Sequence, residues 1–184
     1  MNLMRRTKKE IHDFQNMIFT WWKAHRRDLP WRRTQDPYRI LVSEVMLQQT
    51  QVLRVIGKFS EFIERYPTVR DLAQASAADV LRLWKGMGYN RRALYLKGAA
   101  EAIVRQYQGK FPKDEVILAK LPGLGTYTAR AILVFAFRQN IAMVDTNIRQ
   151  IITHFFFRGK PQKEKVIQEI ADQLRPFWGG DRGR

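Results

Sequence analysis

A short hairpin between two apolar helical runs constrains this chain more than any other feature. The hairpin is the string Pro122-Gly-Leu-Gly125, and apolar positions at helical spacing lie on both sides of it. Two glycines after a proline favour a tight turn, because glycine adopts positive φ at little steric cost. The next helix begins at Thr126 or Tyr127, and its first amides have no partner within the helix. Together with the hairpin amides, they predict a binding site for a phosphate group.

A lone carboxylate follows the hairpin closely. Asp145 lies twenty residues after Gly125, in the string Val144-Asp-Thr-Asn147, which has the pattern of a helix start. A helix N-terminus favours an anion, because the macrodipole places partial positive charge there. The position also suits an ordinary N-cap. We therefore interpret Asp145 as a functional carboxylate, an N-cap, or both.

A second carboxylate lies in an apolar helical segment. Asp36-Pro37 predicts an N-cap and a first helical position, and Glu44 follows between Ser43 and Val45. We expect Gln48 and Gln51 to share its face of the helix. Apolar neighbours can desolvate Glu44, which raises the pKa of its carboxyl and lets it carry a proton near neutrality. The alternative is an exposed helical glutamate.

The chain is strongly basic and contains no cysteine. Its 184 residues include 33 lysines and arginines against 17 acidic residues, a net charge of +16, which suits a polyanion such as nucleic acid. A basic but inert surface is the alternative. The chain contains no run of eighteen apolar residues, about the length that is needed to span a membrane. The lack of cysteine excludes disulfides and thiolate metal sites and fits a cytoplasmic protein.

Helical periodicity accounts for nearly all of the apolar positions. Hydrophobic residues make up 45% of the chain, which predicts a folded protein. We find no run with the alternation of a strand, no internal repeat and no low-complexity tract. The sequence therefore predicts an all-α fold with nine or ten helices, in one domain or two small lobes that share a core.

Several motifs together resemble one family. Leu121-Pro-Gly-Leu-Gly125 followed by Val144-Asp-Thr-Asn147 is similar to the helix-hairpin-helix and Gly/Pro-Asp (HhH-GPD) signature of base-excision DNA glycosylases. Leu29-Pro-Trp-Arg32, Asp36-Pro-Tyr38 and Ser43-Glu-Val-Met-Leu-Gln-Gln-Thr-Gln51 resemble the entrance segment of the MutY-like adenine glycosylase branch. The resemblance extends from about residue 29 to residue 156, which is most of the chain.

The resemblance implies two helical lobes on either side of a DNA-binding cleft. One lobe would be a six-helix barrel with the helix-hairpin-helix, residues 31–144, and the other would combine residues 1–30 and 145–184. Enzymes of this family flip a nucleotide out of the duplex and cleave its N-glycosidic bond. The implied partner is double-stranded DNA with a mismatch or a damaged base. We expect a monomer in the cytoplasm, nucleoid-associated in a prokaryote.

By match to the family motifs, two carboxylates carry the chemistry. Glu44 would protonate N7 of the leaving purine, and Asp145 would stabilise the oxocarbenium-like sugar or act as a nucleophile. Asn147 would support Asp145 and its water. At the position of Tyr127, endonuclease III-like relatives have a lysine that forms a Schiff base and nicks the strand. A phenol cannot form one, so the sequence implies a glycosylase without lyase activity; a tyrosine packed on the hairpin is the alternative.

Other matched residues would bind the DNA. Gln49 would wedge into the stack where the base has left, with Gln48 beside it, and Tyr89 would intercalate next to the opposing base. A solvated helix face for the glutamines and a core position for Tyr89 are the alternatives. The remaining matches are the base pocket (Trp31, Arg32), the phosphate-binding hairpin (Gly123, Gly125, Thr126) and the backbone carbonyls of a Na⁺ or K⁺ site (Ala119, Leu121, Leu124). No other cofactor is implied.

This sequence also departs from the MutY-like pattern. Such chains normally continue into a four-cysteine iron–sulfur loop and often into a domain that reads 8-oxoguanine. This chain has no cysteine and its sequence ends at Arg184, so we expect no cluster, and it is either a natural short form or a truncation. Asn90 stands where the family has a second tyrosine.

Two other functions fit parts of the same pattern. Ala142-Met-Val-Asp145 and Tyr127 are similar to the thymine/uracil glycosylase branch, which acts on G:T and G:U mismatches. A catalytically silent helix-hairpin-helix DNA-binding module is the other alternative, although such a module needs neither Glu44 nor Asp145. We expect an adenine-releasing mismatch glycosylase.

Overall fold

The computed structural model describes residues 7–175, which form ten α-helices and one short 3₁₀ helix and contain no strand. The predicted all-α class is confirmed. In chain order the helices are α1 Lys8–His25, α2 Pro37–Leu47, α3 Val52–Arg65, α4 Val69–Gln74, α5 Ala77–Leu83, α6 Arg91–Tyr107, α7 Glu115–Ala119, α8 Thr126–Phe137, α9 Thr146–Phe157 and α10 Glu164–Gln173, and the 3₁₀ turn is Pro30–Arg33.

The chain divides into two compact units. The terminal unit contains the part up to Arg27 together with the part from Arg138 onward, and the central unit is Asp28–Phe137. The lobes implied by resemblance, residues 31–144 and the two end segments, stay a prediction. Residues 1–6 and 176–184 of that prediction lie outside the described residues.

Helix α2 forms the middle of the central unit. Seven of its eleven residues are buried, among them Leu41, Val42 and Val45, and it packs against α3, α6 and α8. A helix that is apolar on most of its surface must be surrounded by protein. Burial of α2 therefore fixes the backbone that carries Glu44.

The start of α2 is anchored as the sequence predicts. Asp36 is the N-cap, its carboxylate accepts a hydrogen bond from the Tyr38 amide at 2.9 Å, and Pro37 occupies the first helical position. The Tyr38 hydroxyl donates to the Tyr66 carbonyl at 2.7 Å. Burial raises the pKa of Tyr38 far above its usual value, so the hydroxyl remains a donor and joins α2 to the end of α3.

The terminal unit has its own core. Helix α9 packs against α10, and Phe14 of α1 lies in the same cluster of buried side chains. The rings of Phe14 and Phe156 are 5.0 Å apart, which joins α1 to α9. The other buried members of this cluster are Ala142, Ile152, Phe157, Ile167, Ile170, Ala171 and Leu174. This packing positions the first turn of α9, where Asp145 lies.

Candidate functional site

The predicted hairpin, residues 122–125, lies in the connection between α7 and α8. Leu118, Leu121 and Leu124 are buried and attach it to the core, and the Leu124 amide donates to the Leu121 carbonyl at 3.1 Å. Helix α8 begins at Thr126, as predicted, and its first intrahelical bond runs from the Ala129 amide to the Gly125 carbonyl at 3.0 Å. The first amides of α8 therefore have no acceptor one turn earlier within the helix, an arrangement that suits an anion.

Gly123 is the hairpin residue that cannot be replaced without strain by a residue with a side chain. Its φ is 72°, in the left-handed region that glycine adopts without penalty. A Cβ at this position would lie 2.5 Å from the Cβ of Tyr95 on α6. The absence of a side chain therefore permits both the turn and the close packing of the hairpin against α6.

Gly123→Ala is expected to lower the free energy of unfolding by about 2–4 kcal/mol, from left-handed strain and from the clash with Tyr95. Gly125→Ala is the matched control, because Gly125 has no positive φ and open space around its Cβ position. Its expected cost is below about 1 kcal/mol. Urea denaturation measures both, and equal losses would contradict the role of the Tyr95 contact.

The residues that follow Glu44 do not continue its helix. Glu44 is half-buried on α2, between buried Ser43 and Val45. The helix ends at Leu47, and Gln48 is its C-cap. Gln49 has a φ of 53° and is exposed. The prediction that Gln51 shares a helix face with Glu44 is wrong, since Gln51 occupies the N-cap position of α3 instead. For Gln48 and Gln49, the solvated helix face is excluded.

Arg92 on α6 binds the segment where the helix breaks. Its Nη1 donates to the carbonyls of Val45 at 2.9 Å, Met46 at 3.2 Å and Gln48. These are carbonyls at the end of α2, where the helix provides no amide partner. Its Nη2 donates to the Thr50 hydroxyl and the Met87 carbonyl, both at 3.0 Å, and to the Gly88 carbonyl at 3.1 Å. One guanidinium thus joins residues 48–50 to residues 87–89.

Tyr89 lies in the second of these turns. It is 65% exposed, which excludes the core position considered for it, and its φ is 46°. The guanidinium of Arg92 lies 5.6 Å from its ring and 5.5 Å from the ring of Trp84, whose indole N–H donates to the Gly88 carbonyl at 3.1 Å. Burial lowers the pKa of Arg92, although a guanidinium remains protonated at neutral pH.

Arg92 was not among the predicted site residues, although the sequence contains a signal for it. Arg92 precedes Leu96, Ala99 and Ile103 at helical spacing, and all three are buried. A cation in line with a buried helical face needs acceptors within the protein. That pattern indicates a structural arginine, although it does not identify its partners.

The two predicted pocket residues lie in the 3₁₀ turn. Trp31 is buried, and its ring packs edge-on against Phe59 of α3 with centroids 5.5 Å apart. Arg32 is exposed. Trp31 thus holds the turn on the central unit, whereas contact of either residue with a flipped base stays a prediction. Tyr127, in the first turn of α8, is 38% exposed.

Asp145 caps α9 in the terminal unit. One carboxylate oxygen accepts from the Ile148 amide at 2.7 Å, and the other accepts from the Asn147 side-chain amide at 3.4 Å. The N-cap interpretation is confirmed. The structure brings Asp145 and Asn147 together within this unit, while Glu44 and Tyr127 belong to the central unit.

The hairpin carbonyls are of the type that binds a hard cation. Ala119 ends α7, and Leu121 and Leu124 follow it before α8 begins, and backbone carbonyl oxygens are ligands that hard cations accept. An alkali ion there stays a prediction. Among residues 7–175, no group of three or more His, Asp or Glu side chains could hold a metal ion. Within the same range, no helix has the length and apolarity of a membrane span.

Comparisons with known proteins agree with the predicted motifs. The family model of the HhH-GPD superfamily base excision DNA repair proteins matches residues 42–176. The chain is 45% identical over 165 residues to an adenine DNA glycosylase of Mycobacterium tuberculosis, a match that covers 89% of this chain and 54% of that protein. This chain therefore spans about half the length of that relative.

Two further similarities are to thymine-directed proteins. The chain is 33% identical over 174 residues to a thymine/uracil-DNA glycosylase of Methanothermobacter thermautotrophicus, covering 92% of this chain and 79% of the relative. The solved structure of a thermostable thymine-DNA glycosylase matches with a TM-score of 0.86 and 32% identity, covering 95% of this chain and 81% of that one. The chain therefore shares its helical fold with this solved glycosylase structure.

Proposed function

Because the chain belongs to the HhH-GPD superfamily of base excision DNA repair proteins, we propose that it is a DNA glycosylase that excises a mispaired base from double-stranded DNA. The observation that carries this proposal is the placement of Asp145 at the N-terminus of α9, beside Asn147. A helix N-terminus stabilises an anion, and a fixed anion stabilises the positive sugar that forms when an N-glycosidic bond breaks.

The substrate proposed is adenine opposite guanine or 8-oxoguanine. Glu44 gives its proton to N7 of the flipped adenine, and the electrons of the C1′–N9 bond leave with the base. Asp145 stabilises the oxocarbenium-like sugar until water, supported by Asn147, adds its hydroxyl to C1′ and releases its other proton to the solvent, from which the Glu44 carboxylate is protonated again. The products are free adenine and an abasic site. The 45% identity to an adenine DNA glycosylase supports this choice of base.

The other proposed roles concern the DNA around the target base. Gln49 and Tyr89 enter the base stack, while Gln48 and the 3₁₀ turn with Trp31 and Arg32 line the pocket. The hairpin binds a phosphate through the amides of residues 123–126, with an alkali ion on its carbonyls. The exposure of Gln49 and Tyr89 supports their insertion. We also propose that the protein acts as a cytoplasmic monomer without another cofactor.

Thymine or uracil release from G:T and G:U mismatches is the second candidate. It is supported by the 33% identity to a thymine/uracil-DNA glycosylase over 92% of this chain. Thymine has no N7, so such an enzyme would depend on Asp145 and on pocket contacts to the carbonyls of the base. Both candidates share the proposed role of Tyr127, which provides no amine for a Schiff base, so neither has lyase activity.

The distinguishing experiment is a single-turnover assay on six duplexes that differ in one base pair: A opposite 8-oxoguanine, A:G, A:C, G:T, G:U and hypoxanthine:T. We expect adenine release from the first two and strand breakage only after alkali. Borohydride trapping on the abasic product should give no covalent adduct, because Tyr127 cannot form a Schiff base.

Each other outcome has a defined meaning. Release of thymine from G:T, without release of adenine from any duplex, supports the second candidate, a thymine or uracil glycosylase. Binding of all duplexes without base release identifies a silent DNA-binding module and contradicts the enzymatic proposal. A robust borohydride adduct shows that a lysine of this chain acts as a lyase nucleophile.

A further inference from the structure

We propose that Arg92 is a positioning residue that holds residues 48–50 and residues 87–89 in one rigid frame, so that Gln49 and Tyr89 enter the duplex together. This inference rests on the proposed function, because the two turns need a common frame only if both of them meet the same DNA. It assigns to Arg92 a structural action on the DNA-inserting side chains, without contact to the substrate.

The acceptors of Arg92 lie far apart in the sequence. The Val45 carbonyl precedes it by 47 residues and the Thr50 hydroxyl by 42, whereas Met87 and Gly88 belong to the loop just before α6. A guanidinium is planar and donates in fixed directions. Binding to both segments therefore fixes their mutual distance as well as their orientation.

Both inserting residues have a backbone conformation that needs external support. Gln49 and Tyr89 have φ values of 53° and 46°, in a region that residues with a Cβ seldom adopt. Such conformations persist only where the surrounding structure determines them. Arg92 bonds the residue before each of them, Gln48 and Gly88, which is the support that the geometry requires.

The donor geometry of Arg92 separates its role from phosphate binding. Both terminal nitrogens are directed at protein acceptors, and the remaining nitrogen, Nε, is buried without a hydrogen-bond partner. An arginine in this state adds little to attraction by DNA phosphates. Its loss should therefore affect opening of the duplex and the rate of base release more than it affects overall affinity for DNA.

The test uses the full chain and the variants Arg92→Lys and Arg105→Lys. Lysine keeps the charge but lacks the planar fork, and its ammonium has three donors, so it cannot reproduce the bonds of the guanidinium to six acceptors in the two turns. Arg105 is exposed near the other end of α6 and provides the matched control. Hydrogen–deuterium exchange on the free protein should show faster exchange in residues 48–50 and 87–89 for Arg92→Lys alone, with α4 and the rest of α6 unchanged.

The functional measurement is a double-mutant cycle. We expect Arg92→Lys and Tyr89→Ala each to slow single-turnover base release by about ten- to a hundredfold, and the double variant to be no slower than about the worse single variant, because both changes disable the same insertion. Fluorescence of 2-aminopurine beside the target base should report reduced opening of the duplex by Arg92→Lys.

Three results would overturn the inference: multiplicative effects of Arg92→Lys and Tyr89→Ala, exchange that matches the Arg105→Lys control, or normal 2-aminopurine fluorescence with Arg92→Lys. A wild-type protein that neither opens the duplex nor releases a base would instead reject the proposed function, and the insertion role of Arg92 with it. Hydrogen–deuterium exchange would still show whether Arg92 holds residues 48–50 and 87–89 together. If Arg92→Lys loses its helical circular dichroism, Arg92→Gln is measured in its place.

Discussion

Asp145→Asn is expected to lower the rate of base release by about three orders of magnitude, ~4 kcal/mol in the transition state, while duplex binding remains. The reason is that the proposed action of Asp145 is on positive charge that arises only as the N-glycosidic bond breaks. An amide of the same shape has no net charge to oppose it. Alkali-dependent strand scission measures the rate, and titration with a fluorescent duplex measures the affinity.

The geometry of α9 makes this substitution well suited to the question. Asparagine is about as good an N-cap as aspartate, and its oxygen can accept from the Ile148 amide as the carboxylate does at 2.7 Å. The helix should therefore keep its first turn. A loss of activity then reports the charge and not the fold.

Asp114→Asn is the matched control for this prediction. Asp114 caps α7 in the same manner, with its carboxylate accepting from the Ile117 amide at 2.9 Å, and the substitution changes the net charge equally. We expect the control to keep nearly all of its activity. Base release by Asp145→Asn within about tenfold of wild type, at most ~1.4 kcal/mol, would show that Asp145 is only an N-cap.

The elements that the sequence predicted well are those with local signals. The starts of α2, α8 and α9 lie where Asp36-Pro37, Thr126 and Asp145 predict them. A cap side chain bonds an amide two or three residues away, and a glycine hairpin depends on its own φ angles. The physical cause is thus contained in a few consecutive residues.

The arrangement of the residues proposed to insert into DNA depends on distant parts of the chain. Periodicity extended the helix of Glu44 to Gln51, whereas α2 ends at Leu47. Arg92, more than forty residues further along the chain, donates to the last carbonyls of this helix. No local propensity gives Gln49 and Tyr89 positive φ angles. Their conformations follow from tertiary bonds that a single sequence does not display.

The proposed acid combines a local signal with a tertiary one. The sequence indicated that Glu44 has apolar neighbours along the helix, and the structure adds that α2 is buried on most of its surface, with Glu44 half-buried. Such surroundings limit access of water to a group that must deliver its proton to the base. The role of Glu44 as the acid is implied by the family resemblance, and it can be tested directly.

Glu44→Gln is expected to abolish adenine release while duplex binding and base flipping remain. A glutamine keeps the shape and can form hydrogen bonds, but it cannot donate a proton to the base at neutral pH. We expect a loss of at least about a hundredfold, in the range of general acid catalysis. Glu64→Gln is the control, since Glu64 is exposed on α3 and the charge change is equal. Single-turnover release and 2-aminopurine fluorescence separate chemistry from flipping.

Substrate chemistry provides an independent test of the same step. An adenine analogue with carbon in place of N7, 7-deaza-adenine, cannot accept the proton, so wild type should be blocked on it as Glu44→Gln is on adenine. Cleavage of the analogue at the normal rate would exclude N7 protonation, whatever the variant does. In a thymine enzyme the base has no N7, so Glu44→Gln should then affect G:T turnover much less than Asp145→Asn does. The ratio of the two losses on each duplex therefore identifies which base the site is built to release.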